Sequence, residues 1–390
     1  MMRGGPEGEP KHRLDAVVIG GGQAGLAAGY HLRKQGRDFA ILDAGQRVGD
    51  AWRNRWDSLR LFTPAALSGL PGMPLPFPGA YFPTKDETAD YLEGYARKFD
   101  LPVRLGRRVD SLRREGGGYL LSAGEERYAA KNVVVATGPY RAPSIPDFAK
   151  RLDPSITQLH SSAYRNAHRI LEGEVLVVGA GNSGAEISLE LAAAHRTYLS
   201  GRDTGNVPGG VRGRRLPKHV LIAWLVGWWV LRHLTADTGL GRKGREFSRT
   251  RGTPLVRFGP EDLVGAGVRR VPRVEGAIDG KPLLADGRVL DVATVVWATG
   301  YRPDFGWIEI PVLGEDGYPV QHRGAAEGAP GLYFLGLPFQ HTFFSETIGG
   351  ISGDARHVAN HLARRDKMAG QARTTAPPRA PDGVLARRTR

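Results

Sequence analysis

The chain has 390 residues and a formal charge of +14, enough length for two or three domains and a sizeable core. It contains no cysteine, which excludes disulfides, thiolate metal sites and internal dithiol redox chemistry and suits a reducing cytoplasm. The charge is concentrated: residues 201–257 hold twelve Arg/Lys against three acids and residues 364–390 eight against two, so the remainder is near neutral and a nucleic-acid-binding face is not expected.

In chain order, MMRGGPEGEPKHR leads into the first strand with no apolar leader segment, so no secretory signal is expected. Residues 14–20 (LDAVVIG) read as a strand, 23–35 as a helix with small residues toward a sheet, and 39–43 (FAILD) as a second strand. Residues 64–83 are so rich in Pro and Gly that they read as a long ordered loop. NVVVATGPY at 132–140 is a buried strand halted by Ala-Thr-Gly, and TVVWATGYRPD at 294–304 is a second strand with the same ending. Between them the βαβ order repeats at 174–179, 182–194 and 196–200.

This is an internal duplication with the second unit inserted into the first. The expected fold is α/β, two Rossmann-like dinucleotide-binding domains: 12–165 and 296–363 form the outer domain, 166–295 the insertion, and 364–390 a disordered basic tail. GLYFLGL at 331–337 fits the outer domain's last strand. HVLIAWLVGWWVLRHL at 219–234 has about twelve uninterrupted apolar residues, short of the roughly 20 that span a bilayer. It reads as a buried or substrate-facing helix. The alternative is peripheral membrane contact, with Trp224, Trp228 and Trp229 at the lipid boundary and Arg212, Arg214, Arg215 and Lys218 beside it.

Each unit opens with G-x-G-x-x-G. The first Gly makes the tight turn, the second lets the backbone approach a pyrophosphate, and the third lets helix and strand pack. Gly20, Gly22 and Gly25 are followed by Asp43 at the end of the second strand, where an acid would hold ribose hydroxyls. Gly179, Gly181 and Gly184 are followed instead by Ser200, Gly201 and Arg202. Small residues with an arginine suit a 2′-phosphate, hence NADPH, although Asp203 stands beside them. FAD in the first cradle and NADPH in the second would make the chain a hydride-transferring flavoprotein.

The segment GDAWRNRWDSLRLFTPAALSGLPGMPLPFPGAYFPTKDETADYLEGYARKFDLPV (49–103) resembles the stretch after the FAD fingerprint in class B flavoprotein monooxygenases. It is especially similar to bacterial flavin-containing monooxygenase-like proteins and plant YUCCA enzymes. HSSAYR (160–165), ATGYRPDF and GLYFLGLPFQH add to the resemblance, which covers roughly residues 12–362. It implies FAD at Gly20, Gly22, Gly25 and Asp43 with Trp52 near the flavin, NADPH at Gly179, Gly181, Gly184 and Arg202, and the Ala-Thr-Gly ends Gly138 and Gly300 at the cofactors.

The implied activity is an NADPH-dependent monooxygenase in which a C4a-(hydro)peroxyflavin oxygenates a small apolar substrate at N, S or a carbonyl carbon. His160 and Thr63 are the catalytic candidates, and Gln340, His341 and Ser345, with neighbouring Glu346, are candidates for lining the substrate pocket. No metal site is expected. The chain departs from the family at Thr63, where an Asn is common, at Tyr164, where ketone-oxygenating members carry Trp, and in lacking the signature's Phe-x-Gly in register. The missing signature Gly and Thr63 keep open an NADPH oxidase or flavin reductase serving a quinone or protein acceptor, and the Trp-rich segment with its basic neighbours keeps open a non-enzymatic membrane-associated redox sensor. The expected partners are a small-molecule substrate and dioxygen, and the expected location is cytoplasmic.

Overall fold

The computed structural model describes residues 9–207, 217–231, 233–251 and 254–374. Arg212, Arg214 and Arg215, and the end of the basic tail from residue 375, lie outside the described residues.

Two parallel sheets organise the chain. The first has nine strands, and its spine runs in the order 332–334, 126–135, 12–19, 39–42, 103–104, all parallel. These strands are apolar on both faces because both are covered, one by α-helices and the other by the hairpin 111–123 and the segment 305–312. Val17, Val18, Ala40, Ile41 and Val133 are fully buried. Strand Glu126–Val135 is long enough to do two jobs: along one edge its first half pairs with the antiparallel hairpin 111–123 and its second half with 332–334, while the other edge pairs with 12–19. Because Leu332 pairs with Val133, the first sheet draws on chain from both sides of the insertion.

The second sheet has five strands in the order 269–271, 197–200, 175–178, 294–297, 157–160. Its edge strand Thr157–His160 pairs in parallel with Thr294–Trp297. The inserted unit therefore takes in the chain from Thr157, earlier than the boundary at 166 that the sequence suggested. The reason is register: Thr157, Gln158 and Leu159 sit opposite Thr294, Val295 and Val296, a pairing that leaves no mark in local composition.

The helices are α1 (Gln23–Lys34), α2 (Asp50–Arg53), α3 (Lys85–Lys98), α4 (Asn182–Leu191), α5 (Lys218–Leu231), α6 (Gly239–Arg251), α7 (Pro260–Gly265) and α8 (Ile351–Thr374). Helix α8 contradicts the reading of 364–390 as tail from its first residue. Ile351, Ala355, Val358 and Leu362 bury its inner face in the first core, and its next turn is tied by charge. Arg37 donates to Asp366 at 2.5 Å, and Arg365 donates to buried Asn132. Basic composition suggested solvation there, but Arg365 and Asp366 are tied to the outer unit.

The Pro-rich loop is ordered by α3. Tyr91 accepts from the Leu70 amide at 2.7 Å and donates to the Met73 carbonyl at 2.6 Å, while Tyr95 donates to the Pro71 carbonyl at 2.7 Å. Burial pushes the Tyr91 hydroxyl up to about 12, so it stays a neutral donor. A loop without its own ladder needs such partners for its backbone groups.

Candidate nucleotide cradles and their junction

The two glycine turns are built by the same contacts. Gly20 N donates to Leu42 O at 2.8 Å and Gly179 N to Ser200 O at 2.8 Å. Both first glycines have φ in the left-handed region, +106° and +111°, which a side chain rarely adopts. A Cβ on Gly25 would lie 1.8 Å from Gly20 O, and one on Gly184 1.8 Å from Gly179 O. Sterics inside the protein therefore dictate the first and third glycines.

The middle glycines differ. A Cβ at Gly22 or Gly181 would meet no protein atom within 4 Å, and each is the N-cap of a helix with no side-chain cap. Uncapped amides at a helix N-terminus with open space before them favour an anion. Both cradles thus fit the pyrophosphate of a dinucleotide.

The far ends diverge. Asp43, just after strand Phe39–Leu42, accepts from Gly45 N at 2.7 Å and from Gly21 N. Its carboxylate is thereby fixed at the first cradle. In the second unit Ser200 is fully buried and turns away, donating to Pro272 O at 2.9 Å and accepting from Val274 N at 3.1 Å. Gly201 lets the chain pass beneath the turn, since a Cβ there would lie 2.7 Å from Ala180 N. Arg202 is exposed after it. Asp203 accepts from Gly205 N at 2.8 Å in its own turn. Arg270, on the neighbouring strand, donates to Gly201 O at 3.1 Å; it was not evident from sequence because only the parallel pairing of 198–200 with 269–271 brings it there.

The two Ala-Thr-Gly ends form the junction between units. Gly138 and Gly300 take φ of +70° and +80°, and the segments after them pair antiparallel through Ala142–Pro143 and Tyr301–Arg302. His160 is buried against this ribbon. Its Nε2 lies 3.0 Å from Gly300 O, which can only accept, so Nε2 carries the proton. Nδ1 then accepts from Ser162 N at 3.2 Å. Both nitrogens are committed, and burial lowers the pKa of the ring, with Arg55 adding to the effect.

Arg55 lies over the rings of Tyr140 and Tyr301 and donates to the Tyr301 hydroxyl at 2.7 Å. Tyr140 in turn donates to Glu346 at 2.9 Å, whose carboxyl burial raises. These tyrosines had a sequence signal, since each follows an Ala-Thr-Gly end; Arg55 had none. Trp52 donates to Gln23 in the first turn of α1 at 3.4 Å, and Gln23 donates to Glu346 O at 3.4 Å. Trp52 and Glu346 are thus gathered at the mouth of the first cradle.

The remaining candidates have local duties. Thr63 is buried, its hydroxyl bonded to Ser68 at 2.8 Å inside the Pro-rich loop. Gln340 donates to Phe334 O at 2.9 Å and accepts from Leu337 N, and Ser345 accepts from the amides of His341 and Thr342 at 3.0 Å. Gln340 and Ser345 brace their own loop. His341 lines a cavity of about 240 Å³ with Arg323, Asp354 and His357, where burial raises the Asp354 carboxyl to about 6. Tyr164 is fully buried in the second unit's core. A larger cavity of about 520 Å³ is lined by Leu67, Leu70, Met73, Phe77, Trp228 and Gly349, placing α5 of the insertion over the outer unit's loop.

Two nucleotide cradles joined through a paired linker define a two-domain oxidoreductase. The pyridine nucleotide-disulphide oxidoreductase family matches residues 17–206. The chain is 41% identical over 357 residues to the uncharacterized oxidoreductase CzcO-like of Geobacillus kaustophilus, covering 90% of this chain and 99% of that one. It is 30% identical to the probable indole-3-pyruvate monooxygenase YUCCA7 of Arabidopsis thaliana, over 92% of this chain and 90% of that one. Among solved structures, a flavin-containing monooxygenase from Stenotrophomonas maltophilia is similar with a TM-score of 0.72 and 27% identity, over 90% of this chain and 99% of that one. The chain belongs to the flavin-containing monooxygenase-like family of flavoprotein oxidoreductases.

Proposed function

We propose that the protein is an NADPH-dependent monooxygenase that oxygenates a small apolar substrate at nitrogen, sulfur or a carbonyl carbon. The observation that carries this reading is the pair of cradles with unlike far ends. A carboxylate beside the first suits the ribose hydroxyls of FAD; an exposed arginine after two small residues at the second suits a 2′-phosphate, with the neighbouring Asp203 accepting from Gly205 N in its own turn.

When bound, FAD would supply the oxygen chemistry and NADPH the reducing equivalents. The chain orients and shelters. Gly22 and Gly181 admit the two pyrophosphates, Asp43 and Arg202 select the nucleotides, and Gly138 and Gly300 let the strand ends turn beside them. Trp52, Gln23 and Glu346 close the first cradle. His160, held neutral, is a positioning residue for the Gly300 turn. The apolar cavity beneath Trp228 is the substrate site, with the Thr63–Ser68 bond bracing its loop. Peripheral membrane contact through 219–234 is a separate reading, supported by the exposure of α5.

The test is isotopically labelled dioxygen supplied to the flavin-loaded protein with NADPH and an amine, a thioether or a ketone. One labelled oxygen in product for each NADPH consumed is expected. Hydrogen peroxide as the sole product with every substrate would overturn oxygen insertion and favour the oxidase reading. That rival draws on one observation: the Thr63 hydroxyl is already bonded within its loop.

A further inference from the structure

Helix α5 has two apolar faces. Val220, Leu221 and Trp224 pack around Phe82 of the Pro-rich loop, and Trp228 stacks on Phe344 with ring centroids 3.7 Å apart. On the other side Ile222, Leu225, Val226 and Trp229 are 63, 39, 58 and 62% exposed. Their spacing of three and four residues puts them on one face. Leu240, near the start of α6, is 68% exposed as well. A helix that is hydrophobic all round belongs in an apolar medium, and a contiguous exposed apolar patch marks a contact surface.

Charge identifies the medium. Residues 218–251 carry seven Arg/Lys against Asp237 and Glu246. A second copy laid symmetrically on this face would bring two strongly basic hairpins together. An anionic bilayer satisfies both features, taking the apolar face at the acyl boundary and the basic residues at its headgroups. The 14 residues of α5 reach about 21 Å as a helix, short of the roughly 30 Å hydrocarbon core, and no described helix is long and apolar enough to cross a membrane. The helix therefore lies on the surface.

We propose that α5 and the start of α6 dock the protein on an anionic membrane, and that the cavity behind α5 takes an apolar substrate dissolved in that bilayer. Trp228 carries the second half: it lines the 520 Å³ cavity, while its neighbour Trp229 faces outward. This substrate class rests on the monooxygenase reading; the docking does not.

The test sediments flavin-loaded full-length protein with phosphatidylcholine vesicles, with or without phosphatidylglycerol, in the absence of NADPH. Co-sedimentation only with phosphatidylglycerol, weakened by salt, is expected. The triple variant Ile222→Ser, Val226→Ser, Trp229→Ser should lower partitioning at least tenfold while keeping the wild-type flavin spectrum and NADPH oxidation. Arg242→Glu with Lys243→Glu should weaken it without touching the apolar face. No binding to anionic vesicles would overturn the docking, as would a triple variant that binds like wild type or a wild-type dimer that the triple variant dissolves. NADPH-dependent oxygenation of a long-chain dialkyl sulfide should then rise when the sulfide is supplied in phosphatidylglycerol vesicles. Docking without that rise overturns the substrate class alone. Docking with no oxygenation of any substrate strikes the monooxygenase reading instead.

Discussion

The two glycine cradles share their hydrogen bonds and steric contacts, and they part at the end of the second strand. In the first, Asp43 stands with its carboxylate held by the backbone of the turn. In the second, Ser200 turns into the core, Gly201 slips under the turn, and Arg202 reaches solvent. In the proposed function, glycine spacing sets where a pyrophosphate sits and the next strand's last residues set which nucleotide it belongs to. A duplicated unit can therefore keep its phosphate geometry and change its ligand through three positions.

The largest effect should come from separating the cradles. Gly25→Ala places a Cβ 1.8 Å from Gly20 O, and Gly184→Ala places one 1.8 Å from Gly179 O. Overpacking of this kind costs roughly 1–3 kcal/mol or more and shifts the local backbone. Gly25→Ala should purify without flavin. Gly184→Ala should purify yellow yet show no NADPH-driven bleaching, while dithionite still reduces it. If each variant lost both functions, the cradles would be one cooperative unit and the comparison would fail.

A smaller effect should sharpen the far-end argument. Arg202→Ser removes a charge-assisted contact worth about 1.5–3 kcal/mol, so KM for NADPH should rise roughly 10–100-fold, with KM for NADH little changed. Steady-state kinetics with both coenzymes measures the ratio. An unchanged ratio would move 2′-phosphate recognition to another group, with Arg270 the nearest alternative.

These same features explain what sequence could show. The cradles were legible because the first and third glycines answer steric demands of the turn, the middle one leaves space before the helix, and all three lie within six residues. Gln340 and Ser345 were ambiguous for the opposite reason. Polar residues after a terminal strand look like a site, but their partners are backbone groups of the same loop, visible only once it is folded. Helix α5 was ambiguous because apolar residues all round give no period to say which face is inward. Arg55, stacked on Tyr140 and Tyr301, needed the paired linker before it had a meaning.

The smallest effect concerns the junction that couples the cradles. His160 is neutral in the folded protein, with Nε2–H given to Gly300 O and Nδ1 accepting from Ser162 N. Burial is the main cause of its lowered pKa. Protonating Nδ1 would cost that contact and place a cation near Arg55. The unfolded chain therefore takes up the proton first as pH falls. His160's contribution to stability is complete above its unfolded value of about 6.5 and is lost as pH drops below it. His160→Gln keeps a donor for Gly300 O but cannot titrate. Urea midpoints of wild type should fall more steeply than those of the variant below about pH 6.5, by up to about one proton's worth of slope. Half-buried His31 and His357, each lowered to about 4, together with His341 and His361, also lowered by burial, leave the variant a residual slope of the same sign. Equal slopes in the two proteins would mean that the ring is not held neutral at the junction, and the positioning role assigned to it would fall.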